Sequence, residues 1–306
     1  MEVAVFPNAV KPTVFPFFQK MEEIFEKKNI QFYLPEELET AFEKKQIHVD
    51  RDHFKPLNWI GSHVRYVFSV GGDGSFLQVA RQMSDYPVLL VGINLGELGF
   101  LNEIAPDRLE ERLDQIERND YRIEERMFLS SYIEEGGTKA CRKLPDALND
   151  VVVGRNKTGK MSRVRLWVNG QYTQEYPADG IIISTPTGST SYALSCGGPI
   201  LHSAARQILV VPICAHLMRN IPLLLCDSDE VRITLPERER FLTVSVDGDA
   251  SYTLDNQSQL CIRSCMKKIR FIRFKDQEFF TTLFSRLLRR DSTVPSLESP
   301  MGKEEH

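Results

Sequence analysis

Three glycines surround one acidic residue directly after an apolar run, in the sequence VFSVGGDGS at positions 67–75. The apolar run predicts a strand, and residues 76–83 predict a helix after the turn. Glycines let the backbone approach a ligand closely, and N–H groups ahead of a helix bind phosphate. Because open α/β sheets bind ligands at the carboxyl ends of their strands, Asp73 is a candidate catalytic residue. A simple strand-to-helix turn is the alternative, and Ser75 can be the helix N-cap in either case. The candidate phosphate-binding loop consists of Gly71, Gly72 and Gly74.

A second glycine-rich segment, GINLGELGFL, covers residues 92–101 and again follows a predicted strand. Its spacing differs from the GxGxxG fingerprint of dinucleotide-binding folds, in which a single residue separates the first two glycines. An ordinary Rossmann dehydrogenase is therefore disfavoured. Taken alone, this loop fits a structural role as well as a functional one.

A third segment, ADGIIISTPTGSTSY at 178–192, combines a predicted strand with a hydroxyl-rich loop. Six of the eight residues at 184–191 carry hydroxyl groups, which can bind a ribose, an amide or a phosphate. A Ser/Thr-rich loop that only caps a helix is the alternative. Asn149 and Asp150 form a polar pair just before another apolar strand, and alone this pair would indicate a turn.

The sequence GRNKTGKM at 154–161 nearly matches the GxxxxGK[ST] phosphate-binding loop. An alternating strand pattern follows it where such a loop requires a helix, and Met161 stands where a Ser or Thr would bind Mg²⁺. We therefore reject a loop of that kind. Lys160 is either a lone cation of the site or a solvated loop lysine.

The pattern of apolar residues predicts two lobes. Alternating strand and helix patterns over residues 1–120 predict an α/β nucleotide-binding lobe on a parallel sheet, and short alternating runs over 121–265 predict a β-rich, sandwich-like lobe. Within the second lobe, Asn169-Gly170 is a type I′ hairpin signal. Segment 266–290 is expected to pack back on the first lobe, and 291–306 to be a disordered tail. Strands are predicted at 3–6, 31–34, 66–70, 88–93 and 269–274, and helices at 14–28, 106–118 and 277–290.

Composition restricts the class of protein. Of the 306 residues 42% are hydrophobic and 26% charged, and the net charge of -4 gives no general attraction to nucleic acid or an anionic membrane. The chain starts without a signal-peptide pattern and contains no apolar run near the ~20 residues that span a bilayer, so we expect a cytoplasmic protein. The six cysteines and six histidines lack ligand spacing, which predicts reduced thiols within the core and no structural metal site.

Taken together, the ordered motifs resemble those of the NAD kinase family over residues 66–288. GGDG at 71–74 is similar to the family's GGDGT, NLGELGFL at 94–101 to its NxGxLGFL, and LND at 148–150 to its paired Asn and acid. The segment at 178–192 resembles the longest family signature, and GGPI at 197–200 and PICAH at 212–216 also fit. The sequence departs from the family pattern with Ser75 for Thr, Ser191 for Ala and Asp249 for the Gln of DGQ.

The resemblance implies a fold in which NAD lies in the cleft between the two lobes, and it implies a homodimer or homotetramer. Asp73 would face the hydroxyls of the adenosine ribose, and a neighbouring subunit would supply part of the pocket. The NAD-binding residues implied by position are Asp73, Gly74, Phe100, Asn149, Asp150, Lys160, Asp179, Thr187, Thr190, Ser191, Tyr192, Ser195 and His216.

The implied reaction is transfer of the ATP γ-phosphate to the 2′-hydroxyl of the adenosine ribose of NAD, which forms NADP, with Mg²⁺ bound to ATP. Asp73 would accept the hydroxyl proton or help to hold the metal, and we favour the first role. Two alternatives remain, a GGDG-type kinase that acts on a lipid or a sugar phosphate and a catalytically silent NAD-binding regulator. The TPTGSTSY segment argues against the lipid kinase, and Asp73 argues against the regulator. A phosphofructokinase would be expected to carry more basic residues in its phosphate sites.

Overall fold

The computed structural model describes residues 1–96, 99–136, 140–155, 161–215, 221–276, 280, 283 and 284. Lys160, His216, most of the predicted helix at 277–290 and the predicted tail at 291–306 lie outside the described residues. No helix within the described residues is long and apolar enough to cross a bilayer.

The first lobe is a parallel sheet with helices on both faces, as predicted. Its strands are β1 (Glu2–Pro7), β2 (Gln31–Pro35), β3 (Phe54–Lys55), β4 (Tyr66–Gly71) and β5 (Leu89–Asn94), and its helices are α1 (Val14–Lys27), α2 (Glu39–Lys44), α3 (Leu57–His63), α4 (Asp73–Gln82) and α5 (Leu109–Glu117). The strand order is β5-β4-β1-β2-β3, with parallel pairing throughout. Every residue of β4 and β5 is buried, because α1 and α5 pack on one face and α3 and α4 on the other.

Helix α4 begins earlier than the sequence indicates. Its N-cap is Gly72, in an extended conformation, and the N–H of Phe76 donates to the Gly72 carbonyl at 3.1 Å. The prediction of Ser75 as the N-cap is therefore wrong, because Ser75 lies inside the first turn. Its hydroxyl instead accepts a hydrogen bond from Asn8 Nδ2 at 2.6 Å.

The second lobe is a sandwich of mostly antiparallel strands, as predicted. These are β6 (Arg122–Glu134), β7 (Cys141–Lys143), β8 (Asp150–Gly154), β9 (Ser162–Val168), β10 (Gln171–Ala178), β11 (Gly180–Ser184), β12 (Gln207–Ile213), β13 (Leu223–Cys226), β14 (Val231–Thr234), β15 (Phe241–Val246), β16 (Ala250–Asp255) and β17 (Gln259–Arg273), with the short helix α6 (Tyr192–Ser195). One sheet has the order β13-β12-β11-β8-β15-β16. Its inner face packs against β9, β14 and β17 through one apolar core.

The predicted hairpin between β9 and β10 is present. Asn169 and Gly170 have φ values of 51° and 76°, so both central residues of the turn are left-handed, as a type I′ turn requires. Because β9 begins at Ser162, a strand and not a helix follows the GRNKTGKM segment.

Strand β17 connects the two lobes. Along its length it pairs antiparallel with β6, and near its end Arg270 and Phe271 pair in parallel with Leu89 and Leu90 of β5. One continuous sheet therefore runs from the first lobe into the second. This pairing falls in the segment expected to return to the first lobe, although the boundaries near residues 120 and 265 stay a prediction.

The cysteines are less buried than the sequence indicates. All six are free thiols, but Cys141, Cys214 and Cys226 are exposed and Cys261 alone is buried. The prediction of six core cysteines is wrong because Cys141 and Cys226 lie on edge strands and Cys214 follows the end of β12.

Candidate functional site

The carboxylate of Asp73 joins the first two glycine-rich segments. Asp73 is the first residue of α4, at the carboxyl end of β4, and the loop after β5 lies beside it because adjacent parallel strands end at the same edge. Asp73 Oδ2 accepts from the backbone N–H of Phe100 at 2.6 Å, and Oδ1 accepts from Leu101 N at 3.1 Å and from Asn102 Nδ2 at 2.9 Å. The second glycine-rich segment therefore has a definite role, which is to hold Asp73.

Two glycines make this close approach possible. A Cβ at Gly99 would lie 2.0 to 2.3 Å from the Asp73 carboxylate, and a Cβ at Gly92 would lie 2.1 Å from Asn102 Oδ1.

In the first loop, a Cβ at Gly71 would meet Ser75 Oγ at 2.5 Å, whereas one at Gly74 would meet no atom within 4 Å. The turn itself does not require Gly74, whose open surface leaves room for a ligand.

Asp150 is the first residue of β8, and Asn149 lies in a bend directly before it, where the sequence alternative suggested a turn. The Asp247 carboxylate holds their backbone, accepting from the N–H groups of Leu148 at 2.9 Å, Asn149 at 2.8 Å and Asp150 at 3.0 Å. Both side chains are buried, and neither donates to or accepts from a residue that the structure describes. Their polar groups are thus available to a ligand.

The role of Asp247 was missed by the sequence analysis, although a signal was present. Asp-Gly at 247–248 is a hairpin dipeptide, and both residues have positive φ in the turn between β15 and β16. The turn brings the carboxylate to the backbone of residues almost 100 positions earlier in the chain. A hairpin signal gives the turn but not this distant partner.

Burial, followed by the negative charge of Asp247, raises the pKa of Asp150 from 3.8 to about 7. The folded chain therefore keeps a proton on Asp150 that the unfolded chain releases above about pH 4. Since the folded state binds more protons over this range, the contribution of Asp150 to stability falls as the pH rises from about 4 to about 7 and then levels off.

We expect Asp150→Asn to remove this loss of stability, because an amide does not ionise. As the pH rises from 4 to 7, the melting temperature of the variant should increase relative to that of the unsubstituted protein. The corresponding difference in the free energy of unfolding is a few kcal/mol. Thermal melting across this range measures it, with the exposed Asp107→Asn as a matched control that should show no such gap. A constant gap for Asp150→Asn would contradict the assigned burial effect.

Four of the six hydroxyl groups at 184–191 donate to backbone carbonyls and so serve the protein itself. Ser184 and Thr185 donate to the carbonyls of Asn149 and Leu148, and Ser189 donates to that of Pro186 and accepts from the N–H of Leu201. Thr190 donates to the Thr187 carbonyl at 3.2 Å. The hydroxyl donors of these four residues are therefore used by backbone groups of the protein. Ser184 and Thr185 fix the start of the loop against Leu148 and Asn149.

A cavity of about 340 Å³ lies where the two lobes meet. Phe100, Thr187 and Thr190 contribute to its wall, together with the buried Arg126. Arg126 donates to Thr187 Oγ1 at 3.2 Å and forms an ion pair with Glu124. Burial, and then the charge of Arg273, lowers the pKa of Arg126. The sequence analysis did not select Arg126, which lies in a strand with no motif around it.

Comparison with known proteins identifies the family. Residues 9–121 match the ATP-NAD kinase N-terminal domain, and residues 148–274 match the ATP-NAD kinase C-terminal domain. An NAD kinase of Caldanaerobacter subterraneus subsp. tengcongensis is 34% identical over 238 residues, which cover 78% of this chain and 83% of that protein. This chain belongs to the NAD kinase family. The NAD kinase of Marinomonas sp. strain MWYL1 is 32% identical over 294 residues, covering 96% of this chain and 98% of the relative.

The fold is also that of solved members of the NAD kinase group. A yeast NADH kinase complexed with NADH superposes with a TM-score of 0.80 at 20% identity, over 98% of this chain and 90% of that one. An NAD kinase from Archaeoglobus fulgidus in complex with ATP gives a TM-score of 0.71 at 23% identity, over 94% and 99% of the two chains. The two-lobed architecture described above is therefore the NAD kinase fold.

The residues implied by the NAD kinase resemblance do not all meet within one chain. Asp179 precedes β11 and forms an ion pair with Arg155 at 2.9 Å, whereas Thr187 lies beyond the opposite end of that five-residue strand. On the outer surface, Ser191, Tyr192 and Ser195 are exposed. It stays a prediction that these residues line an NAD pocket and that a neighbouring subunit supplies part of that pocket.

Asp249, where the NAD kinase pattern has Gln, contacts helix α4. Its carboxylate accepts from Arg81, which also lies 3.9 Å from the carboxylate of Asp247. The substitution therefore places an ion pair between the lobes, next to the turn that holds Asn149 and Asp150.

Proposed function

We propose that this protein transfers the γ-phosphate of ATP to the 2′-hydroxyl of the adenosine ribose of NAD, forming NADP and ADP. The observation that carries the proposal is the convergence on Asp73 of the two glycine-rich loops, in a chain of the NAD kinase family. Gly71, Gly72 and Gly74 would bind the phosphates of ATP. The side chains of Asn149 and Asp150 would bind the adenosine of NAD.

In this reaction the ribose oxygen forms a bond to the γ-phosphorus while the bond from that phosphorus to the bridging oxygen of ADP breaks. Catalysis of such a transfer rests mainly on positioning and on charge stabilisation. The proton of the 2′-hydroxyl would pass to Asp73. Oδ1 already accepts two hydrogen bonds and Oδ2 one, so Oδ2 retains a free acceptor position and is the atom we assign as the base.

Mg²⁺ is part of the proposal as the ion bound to ATP, whose negative charge it would partly neutralise. Magnesium prefers oxygen ligands and often takes one or two carboxylates together with substrate phosphates and water. The described residues contain no group of three or more His, Cys, Asp or Glu side chains that would hold a metal, and Asp73 offers a single carboxylate. The site therefore fits an ion that arrives with the nucleotide.

The direct test is NADP formation from NAD, ATP and Mg²⁺, detected with an NADP-specific dehydrogenase. Steady turnover supports the proposal. Phosphorylation of diacylglycerol or fructose 6-phosphate without NADP would indicate another GGDG-type kinase. Binding of NAD without any transfer would indicate the silent regulator.

Replacing both Asn149 and Asp150 by Ala is expected to raise the KM for NAD by roughly 10- to 100-fold, because losing a hydrogen bond to a bound polar group costs about 1 to 3 kcal/mol. The fold should survive, since Asp247 binds the backbone N–H groups of these residues and not their side chains. Initial rates at varied NAD measure the effect, with the KM for ATP as the internal control. An unchanged KM for NAD in a folded variant would remove the pair from the site.

Several features of the assembled enzyme also remain proposals. We propose a homodimer or homotetramer in which a second subunit covers the exposed Ser191, Tyr192 and Ser195, and sedimentation analysis measures its size. Lys160 and His216 are proposed to reach NAD, although both lie outside the described residues. A cytoplasmic location, without nucleic-acid or membrane partners, is proposed from the sequence.

A further inference from the structure

The side-chain ammonium of Lys11 lies over both glycine-rich turns. Lys11 belongs to the loop between β1 and α1, which contains neither of the two glycine motifs. Its Nζ atom is 3.2 Å from the position that a Cβ at Gly72 would occupy and 3.8 Å from the corresponding position at Gly96. A third loop therefore brings a positive charge to the edge of the sheet where Asp73 lies.

Asn8 holds this third loop against the first glycine turn. The backbone N–H of Asn8 donates to the Val70 carbonyl at 2.9 Å, and Asn8 Nδ2 donates to Ser75 Oγ at 2.6 Å. The Asn8 carbonyl in turn accepts from the N–H of Lys11 at 3.0 Å, and Asn8 Oδ1 accepts from Val10 N at 3.1 Å. These hydrogen bonds fix the backbone at Lys11 beside the first glycine turn, so the side chain starts next to Gly72.

Lys11 lacks an anionic partner in the part of the chain that the structure describes. No hydrogen bond or ion pair joins its ammonium to a described residue, and the nearby Asp73 carboxylate accepts instead from residues 100–102. The side chain is nonetheless partly buried. A lysine that lies over glycine backbone, with no counter-ion among the described residues, is suited to bind an anion that approaches the same glycines, and phosphate is the common case.

We propose that Lys11 binds the β- or γ-phosphate of ATP and orients the triphosphate over Gly72. This inference rests on the proposed function, in which the Gly71–Gly74 turn binds the donor phosphates. Lys11 touches the donor substrate and takes no proton from the acceptor. Its removal should therefore weaken binding of ATP and leave binding of NAD unchanged.

The test measures binding and kinetics separately. Lys11→Met keeps most of the aliphatic side chain and removes the charge, and it should weaken binding of the magnesium complex of AMP-PNP by about 10- to 100-fold. Calorimetry should show unchanged NAD affinity and a much smaller effect on AMP, which lacks both phosphates. Lys11→Arg should retain most of the AMP-PNP affinity. The exposed Lys20→Met in α1 is the matched control and should bind AMP-PNP as the unsubstituted protein does.

Two results would overturn the assignment. The first is an unchanged affinity for AMP-PNP in a folded Lys11→Met variant. The second is a Lys11→Met variant whose affinity for NAD is weakened and whose affinity for AMP-PNP is not. Failure of the unsubstituted protein to form NADP would count against the proposed function alone, because the AMP-PNP measurement decides the role of Lys11 without turnover. If NADP is formed, the KM for ATP of Lys11→Met should rise in parallel with the loss of affinity.

Discussion

Replacing Asp73 by Asn should lower kcat by a factor on the order of 10² to 10⁴, the range expected for loss of a general base. Asn keeps the size of the side chain and one acceptor oxygen, but it cannot take the proton of the 2′-hydroxyl. Affinity for NAD should fall far less, because the proposed adenosine contacts come from Asn149 and Asp150. Initial rates and NAD binding measure the two effects.

Asp73 also anchors the second loop, so the experiment needs a control for loss of that anchor. Asn102→Ala removes one of the three hydrogen bonds to Asp73 and leaves the carboxylate in place. If basicity is what matters, this variant should lose much less activity than Asp73→Asn at equal melting temperature. Equal losses of activity in the two variants would indicate that Asp73 acts only by holding the second loop in position. Recovery of Asp73→Asn at raised Mg²⁺ would make it a metal ligand, and near-normal turnover would exclude both chemical roles.

Replacing Gly99 by Ala should reduce kcat by about 10²-fold or more, because a displacement of about 1 Å in a catalytic group can have an effect of that size. The added methyl group would lie 2.0 to 2.3 Å from the Asp73 carboxylate, which is far inside van der Waals contact. Either Asp73 or the loop at 99–102 must therefore move. Steady-state kinetics measures the loss, and thermal melting separates it from unfolding.

Gly96→Ala is the matched control in the same loop. Its methyl group would have Lys11 Nζ at 3.8 Å as its nearest neighbour, an ordinary contact distance. We expect a far smaller loss of kcat at saturating ATP for this variant than for Gly99→Ala. Similar losses in both variants would mean that general stiffening of the loop, and not crowding of Asp73, controls turnover.

The sequence predicted several elements of both lobes because their signals are local, but it did not predict β3, α2 or α3. Buried parallel strands such as β4 and β5 are continuous apolar runs, and the Asn169-Gly170 turn needs two left-handed residues that its own composition supplies. The start of α4 was missed because Asp73 and Gly74, which resemble a loop, lie inside the first turn of the helix, where the Asp73 carboxylate contacts a distant loop.

The partners of the site residues could not be predicted in the same way. Asn102 lies 29 residues from Asp73, and Asp247 lies 97 residues from Asp150, so no periodic pattern links them. Lys11 reaches the glycine turns only because β1 is the neighbour of β4 in the sheet. The order of strands in a sheet cannot be predicted from the sequence of any one segment. Motif spacing predicted the candidate residues, whereas their contacts depend on how the strands pack in the sheet.

The shared strand β17 limits how the cleft can open. Since β17 pairs with β5 at one end and with β6 and β14 elsewhere, the lobes are joined by a hydrogen-bonded ribbon. Between Ser264 and Lys268 the register with β6 shifts, and such a bulge concentrates bending and twist. Any change in the angle between the lobes therefore has to twist or bend this paired strand near residues 264–268, so that the connection is an elastic hinge and not a flexible linker.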